Sequence, residues 1–137
     1  MRVFLDTNIL LDLLDEQRPN HQSSIAILRA TKEGRIKASI TAISILNAIY
    51  VMRKVMQPDT IARYMVQFMS MVHIAPTGSA QLLAAMTSGW KDLEDAVQFQ
   101  SALAAGPMDA IITTDPDFKQ QKSIPLLTPQ QLLKKLN

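Results

Sequence analysis

The chain opens with a short apolar run that ends abruptly in a carboxylate, and this junction constrains the fold more than any other feature. Val3–Leu5 precedes Asp6, and so short a run with β-branched and aromatic side chains favours a buried strand. Asn8 is a good helix N-cap, and apolar residues at helical spacing follow it over residues 9–14. Asp6 is therefore expected where a strand ends and a helix begins, which is where open α/β sheets bind ligands. Taken alone, the junction fits a turn or cap residue and a metal ligand equally well.

Strand and helix signals alternate along the rest of the chain. Apolar runs predict strands at residues 3–5, 37–41, 72–75, 110–113 and 124–127. Helical spacing and end signals predict helices that begin at Asn8 and Pro58 and cover about 20–33, 42–56, 79–88, 91–105 and 129–136. This alternation predicts a three-layer α/β/α sandwich with a mostly parallel central sheet of about five strands. Because there is no internal repeat, low-complexity tract or linker, we expect residues 1–137 to form a single domain.

Composition limits the classes of protein that remain. The chain is 47% hydrophobic but only 5% aromatic, so an aliphatic core built from Leu, Ile, Val, Ala and the eight Met residues is expected. The absence of Cys excludes disulfides and thiolate metal sites. No stretch reaches the roughly 20 apolar residues of a membrane span, and no signal peptide is evident, so a cytoplasmic protein is expected. The net charge of +2 gives only weak support for a nucleic-acid partner.

Acidic residues cluster where the predicted elements would bring them together. Asp115 follows the strand that ends at Thr113, just as Asp6 follows the first strand, and residues 92–95 begin the preceding helix. The carboxyl ends of parallel strands share one edge of a sheet, so Asp6 and Asp115 should lie on the same edge, while the sequence does not fix how far Asp95 reaches from the start of its helix. Carboxylates about 5 Å apart repel by roughly 3 kcal/mol, and Mg²⁺ or Mn²⁺ relieves that repulsion best. Each cluster also has a structural interpretation, as a helix cap for 92–95 and as a Pro-containing turn for 115–117.

The ordered motifs of the chain resemble those of the PIN-domain family, metal-dependent ribonucleases that include VapC-like toxins of bacterial toxin–antitoxin pairs. Residues 4–12 (FLDTNILLD) are similar to the family's opening motif, and residues 92–96 (DLEDA) to its central acidic motif. Residues 110–115 (AIITTD) are similar to its late strand with the fourth acid. Asp117-Phe118 and residues 124–129 (IPLLTP) match its usual ending.

This resemblance implies a three-layer α/β/α fold and a Mg²⁺- or Mn²⁺-dependent endoribonuclease that cleaves RNA phosphodiesters. It further implies a toxin that an antitoxin protein inhibits, and a homodimer. By the resemblance, Asp6, Asp95 and Asp115 would hold the metal. Four further polar residues would support these ligands or a second ion: Thr7, Asn8, Asp92 and Asp117.

One departure from the family pattern bears on catalysis. The family usually carries a Glu in the helix after the second strand, and the matching position here is Asn47, with no acid between residues 34 and 58. An amide offers a neutral oxygen or holds a water, so the site would lose a negative charge. We count Asn47 among the catalytic positions. It motivates an alternative function, a catalytically weak or silent PIN-like module that binds or acts as a scaffold.

The remaining candidates are basic and aromatic. Arg53 and Lys54 are candidates for RNA phosphate contact, since Lys54 lies seven residues after Asn47 and so on the same helical face; a solvated helix end fits equally well. Trp90 fits an edge-packing role better than base stacking. The apolar stripe within residues 64–69 fits the core by default and a dimer or antitoxin groove as the alternative. A receiver or an aspartyl phosphatase ranks well below these functions. The chain lacks the Asp after the third strand and the Lys after the fifth that a receiver needs, and it has Asn8 where such a phosphatase has a second Asp.

Overall fold

The computed structural model describes residues 1–137 and contains five strands and seven α-helices. The strands are β1 (Arg2–Leu5), β2 (Lys37–Thr41), β3 (His73–Ala75), β4 (Ala110–Ile112) and β5 (Leu126–Leu127). The α-helices are α1 (Thr7–Leu14), α2 (His21–Lys32), α3 (Ala42–Met52), α4 (Pro58–Met69), α5 (Ser79–Met86), α6 (Leu93–Ala104) and α7 (Pro129–Leu136). A 3₁₀ helix covers Pro116–Gln120. No helix is both long and apolar enough to cross a membrane.

All five strands are parallel and lie in the order β3-β2-β1-β4-β5, so β1 is the central strand. The chain builds the sheet outward from β1 on one side and then returns to add β4 on the other side. The order of the strands therefore reverses between β1 and β4, and a crevice opens outside the carboxyl ends of these two strands. The predicted parallel α/β sheet is confirmed.

The central strand sends alternate side chains into two separate apolar cores. Val3 and Leu5 pack in a cluster with residues of α1, α2, α3 and α4, while Phe4 packs on the other face with Phe99 of α6 and with Phe118. This alternation is the two-residue period of a strand that is covered on both faces. The three-layer α/β/α arrangement follows from it.

The composition of the core differs in part from the prediction. All four Phe residues of the chain are buried, whereas only Met52 and Met65 of the eight Met residues are. Aliphatic side chains do form most of the core, as expected. Methionine contributes less than its number suggested, because several Met residues lie on outer helix faces.

Two helix boundaries differ from the prediction in ways that affect the site. Helix α1 begins at Thr7 with Asp6 as its N-cap residue, so Asn8 lies inside the first turn rather than capping it. Helix α3 ends at Met52, four residues earlier than expected. Gln57 precedes Pro58 and is extended at φ −66° and ψ 142°, since proline disfavours a helical conformation in the preceding residue. Arg53 and Lys54 consequently lie outside α3, which ends before the extended residue Gln57.

Candidate metal centre

Asp6 is the innermost carboxylate and lies at the end of the central strand. Its backbone N–H donates to Ile112 of β4 at 3.1 Å, which continues the ladder between β1 and β4 by one residue. Its side chain is 1% exposed and accepts a hydrogen bond from Thr113 Oγ1 at 2.8 Å. Burial raises the pKa of the Asp6 carboxyl, and the charge of Asp115 adds to the increase. Backbone and side-chain hydrogen bonds therefore hold Asp6 at the carboxyl ends of β1 and β4.

Asp95 enters the same region from the first turn of α6. Asp92 is the N-cap residue, and its Oδ1 accepts from the Asp95 N–H at 3.0 Å, so the predicted capping role of Asp92 is confirmed. The cap orients the first turn and places the Asp95 side chain, which is 6% exposed, toward the sheet edge. Burial, and then the charges of Asp115, Asp92 and Asp6, raise the pKa of Asp95 to about 8.

Asp115 and Asp117 occupy the loop that follows β4. The Asp115 N–H donates to Thr113 Oγ1 at 2.9 Å, and Asp115 Oδ1 accepts from the Asp117 N–H at 2.9 Å. Asp115 is half-buried and caps the 3₁₀ helix, while Asp117 is exposed. The turn interpretation of this segment is therefore correct, and the same turn presents its carboxylates at the sheet edge.

Three of these residues form a compact set of oxygen donors. Carboxylate oxygens of Asp95, Asp115 and Asp117 all lie within 4.8 Å of one another. At this separation two ionised carboxylates repel by about 3 kcal/mol at an effective dielectric constant near 20. In addition, Asp95 Oδ2 is buried and has no hydrogen-bond partner. An all-oxygen donor set with an unpartnered buried carboxylate oxygen fits a hard divalent cation such as Mg²⁺ or Mn²⁺.

Asp6, Asp95 and Asp115 line an open polar cleft of about 300 Å³, whereas Asp117 does not. Its walls come from the β1–α1 junction, from α3, from the start of α6 and from the loop after β4. The residues that line it are Asp6, Thr7, Asn8, Leu11, Asn47, Tyr50, Val51, Asp92, Glu94, Asp95 and Asp115. The structure thus brings Asp6, Asp95 and Asp115 into one cleft, together with the expected supporting residues Thr7, Asn8 and Asp92.

The first turn of α1 holds the polar side of the cleft in place. Asn8 Nδ2 lies 3.5 Å from Asp6 Oδ2, and Asn8 Oδ1 accepts from Arg18 at 3.3 Å. Arg18 also forms a 2.7 Å salt bridge with Asp12, whose side chain is 5% exposed. Arg18 therefore links the buried carboxylate of Asp12 to the side-chain amide of Asn8, which lines the cleft.

Two residues of α6 that the sequence analysis did not single out also belong to this region. Gln98 is fully buried, and its Oε1 accepts from the Thr7 N–H at 3.1 Å. Its place one helical turn after Asp95 is the signal that could have identified it. Glu94 accepts hydrogen bonds from Thr7 Oγ1 at 2.7 Å and from Asn47 Nδ2 at 2.8 Å. Asn47 is half-buried and faces the cleft, so the structure brings it to the site.

The basic and aromatic candidates have different outcomes. Lys54 lies beyond the end of α3, so the helical-spacing argument that placed it on the face of Asn47 is wrong. Arg53 is exposed, and its guanidinium lies 4.0 Å above the ring of Tyr50, a residue of the cleft wall. Phosphate contact by Arg53 or Lys54 stays a prediction. Trp90 stacks on Phe99 at 5.3 Å between ring centroids, which agrees with the edge-packing interpretation.

The fold and the cleft define an α/β protein with an acidic oxygen-donor site at the switch point of a parallel sheet. Within that class the chain belongs to the PIN-domain family, whose family model matches residues 2–117. The resemblance that the sequence motifs indicated is confirmed.

Individual relatives agree with this assignment. The chain is 26% identical over 141 residues to a protein named Ribonuclease VapC1 from Aquifex aeolicus (strain VF5), covering 99% of this chain and 96% of that protein. A chain of VapBC2 from Rickettsia felis, solved bound to a DNA fragment from their promoter, superposes with a TM-score of 0.66 at 14% identity. That match covers 93% of this chain and 98% of the other. VapC20 of Mycobacterium tuberculosis, a toxin that cleaves the sarcin-ricin loop, also gives 0.66 at 14% identity, with coverages of 86% and 93%.

Proposed function

We propose that this chain is a Mg²⁺- or Mn²⁺-dependent endoribonuclease and the toxin of a bacterial toxin–antitoxin pair. The observation that carries the proposal is the convergence of Asp6, Asp95 and Asp115 in one open cleft, where a buried oxygen of Asp95 lacks a partner. The relative named Ribonuclease VapC1 supports the same activity. We take residues 1–137 to act as a single domain in the cytoplasm.

The burial of each residue indicates its role in binding the cation. Asp6 and Asp95 are buried and fixed by the sheet edge and by the α6 cap, so they would hold a cation with little reorganisation. Asp115 completes the set. Asp117, whose carboxylate oxygen lies within 4.8 Å of those of Asp95 and Asp115, and the exposed Asp92 would hold a second ion or the waters of the first. When bound, a divalent ion supplies an activated water and neutralises charge on the phosphate. Thr7 and Asn8 keep the wall of the cleft in position, and Arg53 and Lys54 would meet the RNA backbone.

The experiment is a cleavage assay on pooled tRNA and mRNA in Mg²⁺, in Mn²⁺ and in EDTA. We expect cleavage by the purified protein in either ion and none in EDTA. Asp6→Asn and Asp95→Asn should abolish cleavage while circular dichroism shows an intact fold. Asp59→Asn, which removes an exposed carboxylate of α4, is the matched control and should retain activity. Full activity of either active-site variant would contradict the proposal.

A silent binding module is the second candidate function, and the amide at Asn47 is the observation that favours it. In that case the protein would bind RNA with no cleavage in any metal, and Asp6→Asn would leave RNA affinity unchanged or increased. The same assay, combined with an RNA-binding measurement in Ca²⁺, separates the two functions.

The antitoxin partner and the dimer are further parts of the proposal. A cleft of about 600 Å³ lies between α1 and α2 on one side and α4 on the other. Its lining is mainly apolar and includes Leu14, Met56 and Tyr64. Such a surface suits an apolar helix of an antitoxin. Co-purification with the product of a neighbouring small gene and loss of ribonuclease activity in that complex would support this assignment. Light scattering of the isolated chain tests the dimer.

A further inference from the structure

Glu94 is a carboxylate of the cleft that accepts hydrogen bonds from side chains of two other helices, α1 and α3. Thr7 Oγ1 of α1 donates to its Oε1 at 2.7 Å, and Asn47 Nδ2 of α3 donates to its Oε2 at 2.8 Å. Each carboxylate oxygen has two lone pairs, so these bonds leave Glu94 with capacity for a cation or for the waters around it. Both bonds cross the cleft and connect elements that are far apart in the chain.

The bond from Thr7 is the last of a chain of hydroxyl groups with a fixed direction. Thr41 Oγ1 donates to Ser44 Oγ at 2.9 Å, and Ser44 Oγ lies 2.6 Å from Thr7 Oγ1. A hydroxyl has a single proton, so Thr7 gives its proton to Glu94 and Ser44 must donate to Thr7. Successive donors polarise one another, which strengthens the final bond to the carboxylate. Three buried hydroxyl groups thus stabilise the negative charge of Glu94.

Asn47 donates a hydrogen bond to the other carboxylate oxygen of Glu94, Oε2. It occupies the α3 position where an acid was expected, and it donates to a carboxylate rather than supplying one. Glu94 lines the same cleft as Asp6, Asp95 and Asp115, and it precedes Asp95 in the chain. The cleft therefore contains a carboxylate–amide pair between α6 and α3, in which the carboxylate belongs to α6.

We propose that Glu94 supplies to the cation site the negative charge that α3 lacks, and that Asn47 and Thr7 are positioning residues for Glu94. The inference rests on the proposed metal-dependent function. It reverses the expected effect of an acid at position 47, because a carboxylate there would face Glu94 and lose the bond that Asn47 donates.

The test is an exchange of the two groups, with Mn²⁺ affinity measured by titration calorimetry on the purified protein and the Mn²⁺-induced rise in Tm as a second readout. We expect Glu94→Gln to weaken Mn²⁺ binding by about tenfold or more. Asn47→Glu alone should not tighten binding. The double variant Asn47→Glu/Glu94→Gln restores a carboxylate–amide pair in the opposite order and should recover much of the lost affinity. Glu33→Gln removes an exposed carboxylate that does not line the cleft and should bind as the wild type does.

Several outcomes would overturn the inference. They are unchanged Mn²⁺ affinity in Glu94→Gln, tighter binding in Asn47→Glu alone, and a double variant that binds no better than Glu94→Gln. Glu94→Ala, which removes the carboxylate without adding an amide, is the second variant should Glu94→Gln fail to fold. Wild-type protein that neither binds Mn²⁺ nor cleaves RNA would instead refute the proposed function. If the wild type binds Mn²⁺ and cleaves RNA, and Glu94→Gln has the Mn²⁺ affinity of the wild type, this inference alone would be refuted.

Discussion

The buried carboxyl of Asp95 should make the stability of the metal-free protein fall as the pH rises. Burial and the neighbouring carboxylates raise its pKa from 3.8 to about 8 in the folded chain. Between these values the folded protein binds a proton that the unfolded chain has released. The free energy of unfolding therefore decreases with increasing pH, and the contribution of this proton is present at pH 4 and lost by about pH 8. Asp6, whose pKa is also raised, acts in the same direction.

The structure sets the scale of this effect. A bound proton present only in the folded state changes the free energy of unfolding by about 1.4 kcal/mol per pH unit. Over the interval from 3.8 to about 8 the upper limit is about 6 kcal/mol. Asp95→Asn removes the titrating group, so it should flatten the pH dependence and stabilise the metal-free protein most at pH 8.

Urea unfolding in EDTA between pH 4 and pH 8 measures this directly, and Trp90, the single tryptophan of the chain, provides the fluorescence signal. The wild type, Asp95→Asn and the surface control Asp59→Asn should be compared at each pH. Wild type and control should lose stability together, while Asp95→Asn loses less. Mn²⁺ added at pH 8 should restore stability to the wild type and not to Asp95→Asn. Equal slopes in all three proteins would refute the reasoning.

Three further substitutions test the contacts around the cleft. Thr113→Val removes the donor to the buried Asp6 carboxylate and should cost about 1–3 kcal/mol in urea unfolding, with weaker Mn²⁺ binding; a change under about 0.5 kcal/mol would contradict this. Arg18→Met leaves Asp12 buried without its partner and should cost about 2 kcal/mol, less than for a fully buried pair because the Arg18 side chain is 34% exposed; an unchanged midpoint would argue against it. Trp90→Leu should lower stability by about 1–2 kcal/mol in circular dichroism through lost aromatic stacking. Its RNA affinity should be unchanged, and a large loss of affinity would revive the base-stacking interpretation.

The parts of the site that follow from short-range signals could be predicted from the sequence. Val3–Leu5 is too short and too apolar for anything but a buried strand, so Asp6 had to emerge at a sheet edge. Asp92 and Asp95 have the spacing of an N-cap residue and the third residue of a helix, which fixes both at the first turn of α6. The strand before Asp115 is likewise a short apolar run. A sheet with only parallel strands then brings these ends together.

The parts that depend on distant side chains could not be predicted. The role of Glu94 follows from bonds to Thr7 and Asn47, which come from two other elements, and no local pattern specifies such bonds. Lys54 falls outside the predicted helical face because α3 ends at Met52, whereas the spacing argument assumes a helix that continues to residue 56. The methionines were overestimated as core residues because hydrophobicity alone does not say which face of a helix a residue occupies.

The strand order determines when the cleft can form during synthesis on the ribosome. Thr113 donates a hydrogen bond to Asp6 in the cleft, and these two residues are 107 residues apart in the chain. A nascent chain that has exposed only β1 to α5 carries Asp6 and Asn47, but it still lacks α6 and the loop after β4. Pairing of β4 with β1 closes a long loop and is expected late in folding. The cleft therefore cannot hold a cation, or act on RNA, until the last strands have docked on the first.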